Sequence, residues 1–496
     1  MTGGLIQLAS YGGADIYITG NPEITYFKTV YRRHTNFAKE SIIQHIDGRV
    51  GYGRTVNIDI TRAGDLLGPI WLQLRPPFFK TANTWYYTQG LGNALVKRVD
   101  LVIGGQLIDR QYGEWMAIWE ELSVSTGRRP GLDAMTLTNV PMASLKGATV
   151  EVLPDPNPNN LIAAPYLNVP LQFWFCRNPA LALPLVAMSL HEVRLQLEFG
   201  SMEDITGSYV LPTSASEYGL IVPEGDDSSR GDMNKYTSGL NMECEVWATY
   251  FHLDSDERRQ LTQAPLEYLI EIVQHKGAFA PAGGHRNLTF PAPDPTPNYP
   301  IVFDVKNIKY DLGFANPVKE LVWGIRPLLD IPASAVSLYP TYRTRARPSF
   351  AQFWGQFDSA VIRFNSQERM KDRSDDHFLL TQNYQHHTRV PRYNKLTGSK
   401  PSLEVNPTGS VYSNRIYTYS FGLNPEQYQP SGAANFSKLD DATLEIRGIS
   451  INDPLVWSDE DDSIKKYFNG LELVVYATSY NILRVKDGMC GLAFDA

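Results

Sequence analysis

The chain has 496 residues, 43% hydrophobic and 11% aromatic, enough material for large buried cores. Its formal net charge is −8. Coating nucleic acid requires Lys and Arg to neutralise phosphates, so bulk packaging and direct genome binding are not expected. Cys176, Cys244 and Cys490 are odd in number, far apart and free of any CxxC pair, which excludes a disulfide framework and suits folding in a reducing compartment.

Met1 to Gly20 carries Asp15 as its one charge, and no Lys or Arg precedes Lys28, so no secretory signal is expected. Tyr26 to His34 then interleaves aromatics with Lys28, Arg32 and Arg33. Leu101-Val102-Ile103 runs into the turn signal Gly104-Gly105. Over Tyr112 to Leu122, Trp115, Ile118, Trp119 and Leu122 share one helical face. The longest apolar stretch, Ala180 to Leu190, is broken by Pro184 and Ser189 and is too short to span a bilayer. Val193 to Phe199 alternates apolar and polar residues as a half-buried strand does. Ser201 to Gly239 is rich in Ser, Gly and Asp and reads as a long loop plus a linker. Asp254 to Gln263 is a second short helix, with Asp254 and Glu257 spaced as in a capping box. Ile301 to Val305 and Leu444 to Arg447 are further strands, separated by turn signals that include Asn178-Pro179, Gly283-Gly284, Pro291 to Pro295 and Asn365-Ser366.

A prior of about 150 residues per domain suggests three domains, but two large β domains fit equally well. A weak internal repeat favours two. Ile362-Arg363-Phe364-Asn365-Ser366-Gln367 repeats the strand, turn and Gln of Leu101 to Gln106. Leu439 to Leu444 then repeats the strand opening at Leu190 to Leu195.

Six blocks in chain order carry a family resemblance. They are GNPEITYFKTVYRRHTNFAKESI (Gly20 to Ile42), VDLVIGGQLIDRQYGEW (Val99 to Trp115), ALPLVAMSLHEVRLQLEF (Ala182 to Phe199), DERRQLTQAPLEYLIE (Asp256 to Glu271), YSFGLNPEQYQPSGAANFSKLDDATLEI (Tyr419 to Ile446) and YNILRVKDGMCGLAF (Tyr480 to Phe494). Together they resemble the major capsid proteins of nucleocytoplasmic large DNA viruses of the phycodnavirus, iridovirus and marseillevirus-like groups. The resemblance implies an all-β chain, a double jelly roll of two consecutive eight-stranded antiparallel sandwiches with short helices in the loops. It also implies a structural protein without catalysis or cofactor, forming a homotrimer of pseudo-hexagonal outline within an icosahedral shell. Its partners would be neighbouring capsomers, minor capsid and penton proteins, with the N-terminal arm as a contact to an internal membrane. Its place would be the virion, assembled in the host cytoplasm. The expected divisions are an arm at 1–25, a first jelly roll at 26–225, a linker at 226–240, a second jelly roll at 241–485 and a tail at 486–496.

Lys28, Arg32 and Arg33 are inner-face contact candidates, since each cation near an anionic lipid surface contributes about 1 kcal/mol. The competing reading makes this segment the first strand and its lead-in. Asn287 and Asn435 head N-glycosylation sequons, with burial the favoured reading at Asn435. Arg230-Gly231-Asp232 spells an adhesion tripeptide that chance also supplies. His386-His387 would point to opposite faces of a strand, and the acidic pairs at 226–227, 375–376, 440–441 and 461–462 lie far apart, so no metal set is expected. The rival function is a carbohydrate-binding or carbohydrate-active jelly roll, which would place paired carboxylates across a cleft.

Overall fold

A computed structural model describes residues 2–76, 85–87, 90–138, 166–201, 206–208, 242–277, 301–302, 307–329, 353, 355–391, 415–451 and 468–494. The chain divides into two compact units, Met1–Phe37 and Ala38–Ala496.

The larger unit holds two sandwiches of the same strand order. The first uses β1 (Phe37–Gln44), β2 (Thr55–Asp59), β3 (Leu66–Arg75), β4 (Val96–Ile103), β5 (Gln106–Tyr112), β6 (Leu167–Pro170), β7 (Val193–Phe199) and β8 (Glu243–Leu253). One of its sheets runs β1-β8-β3-β6 and the other β2-β7-β4-β5, with the two-residue strand Ile46–Asp47 added beside β2. The second uses β9 (Leu266–His275), β10 (Asn307–Asp311), β11 (Pro317–Leu329), β12 (Ser359–Phe364), β13 (Gln367–Glu368), β14 (Tyr417–Ser420), β15 (Ala442–Arg447) and β16 (Phe468–Lys486). Its sheets run β9-β16-β11-β14 and β10-β15-β12-β13, the first order over again. This is the jelly-roll arrangement, two antiparallel sheets face to face, present twice.

Alternation builds each core. On β7, Val193, Leu195, Leu197 and Phe199 are buried while Arg194, Gln196 and Glu198 point away. They meet Ile58, Leu72, Leu74 and Leu101 in the first core; Leu321, Trp323, Ile362, Leu444 and Val475 form the second. The repeat extends to single bonds. Gly104 and Gly105 take φ of +57° and +82°, and Asn365 and Ser366 take +48° and +67°. Both pairs sit in two-residue hairpins, where left-handed φ at both positions matches the strand twist. Gly104 N donates to Glu192 O at 3.0 Å, and Asn365 N to Asp441 O at 2.7 Å, tying each turn to the start of β7 or β15.

Two expected boundaries move. β8 was expected to open the second domain, but it pairs with β3 from Glu243↔Arg75 to Phe251↔Leu66 and buries Val246, Ala248 and Tyr250 in the first core. The first sandwich therefore ends at Leu253, and the connector is the helix Ser255–Gln263, capped by Asp254 Oδ1 accepting from Ser255 N. The segment 209–241, which contains the expected linker, lies outside the described residues. Nor is 486–496 a tail. Asp487 and Gly488 turn the chain back, and Met489–Leu492 pairs with β16 as β17. That hairpin fastens on the first sandwich, with Cys490 N donating to His191 Nδ1 at 3.1 Å and Leu190 N to Gly488 O at 2.9 Å.

Candidate assembly surfaces

The smaller unit runs to Phe37, beyond the expected arm boundary at residue 25. It contains α1 (Gly3–Ala9) and α2 (Gly13–Thr19), whose first turn is closed by Asp15 Oδ2 accepting from Gly12 N at 2.7 Å. None of their residues is buried, and Leu5, Ile6, Leu8, Ile16, Tyr17 and Ile18 are exposed. This unit has no core of its own. Lys28, Arg32 and Arg33 are exposed beside Tyr26, Phe27 and Tyr31, in irregular chain ahead of β1 rather than within it.

The two sandwiches meet along a buried seam inside the larger unit. The helix predicted over Tyr112 to Leu122 forms as α3 (Gly113–Ser123), and its stripe packs on the second sandwich. Trp115, Ile118, Trp119 and Leu122 join Val322, Phe353, Ile416, Val474 and Tyr476 in a third apolar cluster. Trp115 lies 5.3 Å from Tyr476 ring to ring, and His275 stacks on Tyr476 at 4.3 Å. On β11 and β16 alternate residues face opposite ways. Trp323 and Val475 enter the sandwich core, whereas Val322 and Val474 face α3. A sheet buried on both sides needs continuous apolar runs, which is what Leu473-Val474-Val475-Tyr476-Ala477 supplies.

Charge crosses the seam in pairs. Arg326 bridges Glu472 of its own sandwich and Glu114 of α3, and Tyr476 Oη donates to Glu114 Oε2 at 3.1 Å. Arg177 donates to Glu271 Oε2 at 2.8 Å, and the buried Lys319 donates to Glu271 Oε1 at 2.6 Å and to Pro425 O at 2.6 Å. Burial alone would push the Glu271 carboxyl up, but Arg177 and Lys319 hold it below the usual range. Arg389 donates to Glu121 Oε1 at 2.8 Å, and its backbone N to Leu122 O at 3.0 Å. At the edges of their sheets, β9 and β5 are neighbours, and Val273 N donates to Asp109 Oδ1 at 3.1 Å. Burial pushes Asp109 up to about 6, and burial lowers His275 below the ordinary histidine value.

A cleft of about 340 Å³ opens beside the seam, lined by Trp71, Trp119, Gln172, Arg177 and Glu426 among others. Arg177 lies over the Trp119 ring at 4.9 Å. Among the described lining residues Glu426 is the one carboxylate, and its Oε1 already accepts from His387 Nδ1 and Thr388 N, each at 3.0 Å. Among the described residues the cleft therefore has aromatic walls and no opposed pair of carboxylates of the kind glycoside hydrolysis uses.

The remaining candidates separate. Asn435 is exposed rather than buried, because its Oδ1 turns back to accept from Ser437 N at 3.1 Å and caps a short helical turn. Asn287, Arg230-Gly231-Asp232 and the acidic pairs at 226–227 and 461–462 lie outside the described residues. His386 ends a short helix, not a strand; its Nδ1 bonds Leu423 O, while His387 is buried against Glu320 and Glu426. Asp375 pairs with Arg415 at 3.0 Å, and Asp440 N and Asp441 N both donate to Asn365 Oδ1. Among the described residues no three His, Cys, Asp or Glu side chains converge as metal ligands. Sequence reading found the α3 stripe but not the surface it covers, nor the ion pairs across the seam, whose members are up to 268 positions apart.

Two family patterns match the chain. The one described as major capsid protein N-terminus covers residues 25–254, and the one described as large eukaryotic DNA virus major capsid protein covers 257–411 and 402–491. They change over at the connector helix. The chain is 35% identical over 501 residues to the major capsid protein of Pyramimonas orientalis virus, with all of both chains covered. It is 32% identical over 516 residues to that of Paramecium bursaria Chlorella virus 1, again with both chains fully covered. The solved structure described as the PBCV-1 virus capsid superimposes with a TM-score of 0.64 at 28% identity, covering 95% of this chain and 100% of that one. The paired jelly rolls and the matches along the whole length lead to one conclusion: the chain belongs to the major capsid proteins of large eukaryotic DNA viruses, and it is a structural protein of the virion shell.

Proposed function

We propose that three copies of this chain close into a pseudo-hexagonal capsomer, and that such capsomers tile an icosahedral shell around a double-stranded DNA genome. The observation that carries this reading is the seam. Two sandwiches of one strand order, fastened by a shared apolar cluster and crossing ion pairs, make a block with two similar lobes. A threefold axis turns three such blocks into six near-equivalent lobes, and heterologous contacts between the plates extend them into a shell. Each chain is expected to bury more than roughly 2,000 Å² in the trimer, as obligate assemblies do.

In this reading the chain acts without catalysis, is assembled in the host cytoplasm, and meets neighbouring capsomers, penton proteins and minor capsid proteins. The Met1–Phe37 unit is the anchor to minor proteins or to an internal membrane, because its apolar helices and its cations Lys28, Arg32 and Arg33 lack a core of their own. Light scattering on the purified protein should give three chain masses, and micrographs a hexagonal outline. A well-behaved folded monomer that binds glycans would overturn the capsomer reading in favour of a carbohydrate-binding sandwich. Deleting Met1 to Gly20 should leave trimers intact and stop shell assembly; loss of the trimer itself would show the arm to be an internal structural element.

A further inference from the structure

Next to the ion pair that joins α3 to Arg389 lies a buried polar group whose hydrogen bonds do not balance. Three carboxylates, Glu120, Glu121 and Asp133, lie with the guanidiniums of Arg129 and Arg389. Arg129 pairs with Glu121 at 2.9 Å and Asp133 at 2.5 Å, and Arg389 pairs with Glu121 at 2.8 Å. Glu120 is left with an amide: Asn93 Nδ2 donates to its Oε2 at 2.8 Å. Glu120 and Asn93 are 2% and 1% exposed, yet Glu120 Oε1 and Asn93 Oδ1 have no hydrogen-bond partner. Two buried acceptors without a donor, on side chains that already share one hydrogen bond, are costly, each by roughly 1–3 kcal/mol.

One proton resolves both. Placed on Glu120 Oε1, it can be donated to Asn93 Oδ1 and close a reciprocal two-bond ring with the existing Asn93 Nδ2 bond. The surroundings agree. The helix Leu91–Leu95 brings Asn93, the helix Arg129–Thr136 brings Arg129 and Asp133, α3 itself brings Glu121, and Arg389 arrives through Glu121; β6, which packs on both short helices, brings no charge. Asp133 and Glu121 both lie close enough to repel an ionised Glu120, which favours the acid.

We propose that Glu120 is a stored-proton site that couples the tie between the two sandwiches to pH, the neutral acid locking α3 in place and its ionisation loosening α3 from the second sandwich. Ionised Glu120 attracts Arg129 and so pulls on the guanidinium that holds Glu121 and Asp133. Because α3 also carries Trp115 and Trp119 into the seam, strain at Glu120 reaches the contact between sandwiches. Burial pushes the Glu120 carboxyl up to about 7, with the Asn93 bond and Arg129 opposing, which sets the range in which the device works.

The test is thermal and urea unfolding of the assembled protein and its Glu120→Gln variant, from about pH 5.5 to about pH 8.5. Gln reproduces the neutral acid's shape and both bonds of the ring but cannot ionise. Over this range the wild type should lose roughly thirty-fold more of its folded-to-unfolded ratio than the variant, and α3 amides should exchange faster only in the wild type at the upper end. Identical pH profiles would overturn the proposal. So would saturable rescue of the wild type at about pH 8.5 by sodium, magnesium or calcium chloride, since a bound cation would then be the missing partner. If the variant does not fold, infrared spectra of the wild type decide: the carbonyl stretch of a buried protonated carboxyl should vanish between about pH 6 and about pH 8, and its absence throughout would refute the idea.

Discussion

Replacing Trp115 by Ala tests whether α3 is what makes two sandwiches behave as one body. Trp115 is 2% exposed, and its ring lies 5.9 Å from Trp119 and 5.3 Å from Tyr476. An aromatic side chain buries about 150–250 Å², so at about 25 cal/mol per Å² the lost burial amounts to about 4–6 kcal/mol. Measured aromatic-to-alanine changes in cores are about 3–5 kcal/mol, so about 4 kcal/mol is the expected cost. Against total stabilities of about 5–15 kcal/mol this is large. Its location matters more than its size, because the loss falls between the sandwiches and leaves both inner cores intact. Urea unfolding followed by pulse proteolysis, with fragments assigned by mass, should show one transition for the wild type and two for Trp115→Ala. Cleavage should appear first in the connector around Ser255–Gln263. A variant less than about 1 kcal/mol destabilised, or one in which both sandwiches still unfold together, would refute the claim that α3 fastens them.

Three further outcomes are expected. Asp109 has a folded-state value of about 6 against 3.8 in the open chain, so the associated stability is present below about pH 4 and lost as pH rises through about 6, about 3 kcal/mol in all. Asp109→Asn should remove that dependence in pH-scanned unfolding and remain folded, because Gln111 Oε1 is without a partner and Gln111 can turn its amide to suit. Cys490 is buried and Cys176 and Cys244 are half-buried, and their surroundings push all three thiols up to about 12, so iodoacetamide at neutral pH should modify them far more slowly in the native protein than in the denatured one; equal rates at all three would refute this. At the matched hairpins, Ser366→Gly should stabilise by about 0.5–1 kcal/mol, since Gly accepts left-handed φ without penalty. Gly104→Ala should do the opposite, because a Cβ there would lie 2.4 Å from His191 Nδ1 and displace the ring that receives Cys490 N; melting temperatures of the pair check both signs.

The sandwiches were legible where one face of a strand meets water. β7 and β15 show it in their alternation, and the hairpins at Gly104-Gly105 and Asn365-Ser366 announce themselves because left-handed backbone demands particular residues. The α3 stripe was legible for the same reason, since a helix with one buried face repeats every three to four residues. What those patterns cannot say is which surface covers a face. The run at Leu473 to Ala477 is apolar throughout because two layers bury it, one of them α3, and nothing local distinguishes that from a single well-filled core. The eighth strand of the first sandwich was misassigned because its partner, β3, lies some 170 positions upstream of it (Glu243↔Arg75), and a polar loop composition read as a boundary. The polar ties at Glu271, Glu121 and Asp109 were invisible for a related reason: each finds a partner on the other sandwich, Arg177 for Glu271, Arg389 for Glu121 and the backbone N–H of Val273 for Asp109.

The final hairpin has a consequence for how the protein is made. Residues emerge from a ribosome in order, and His191 and Gln106 are synthesised long before Cys490 and Leu492, whose backbone they receive. The earlier half must therefore wait, with that end uncovered, until this hairpin has been translated. A chain stopped early lacks the closing clasp and keeps the uncovered surface, so chaperones and proteases have a physical mark by which to sort incomplete products from finished ones before any reaches a growing shell.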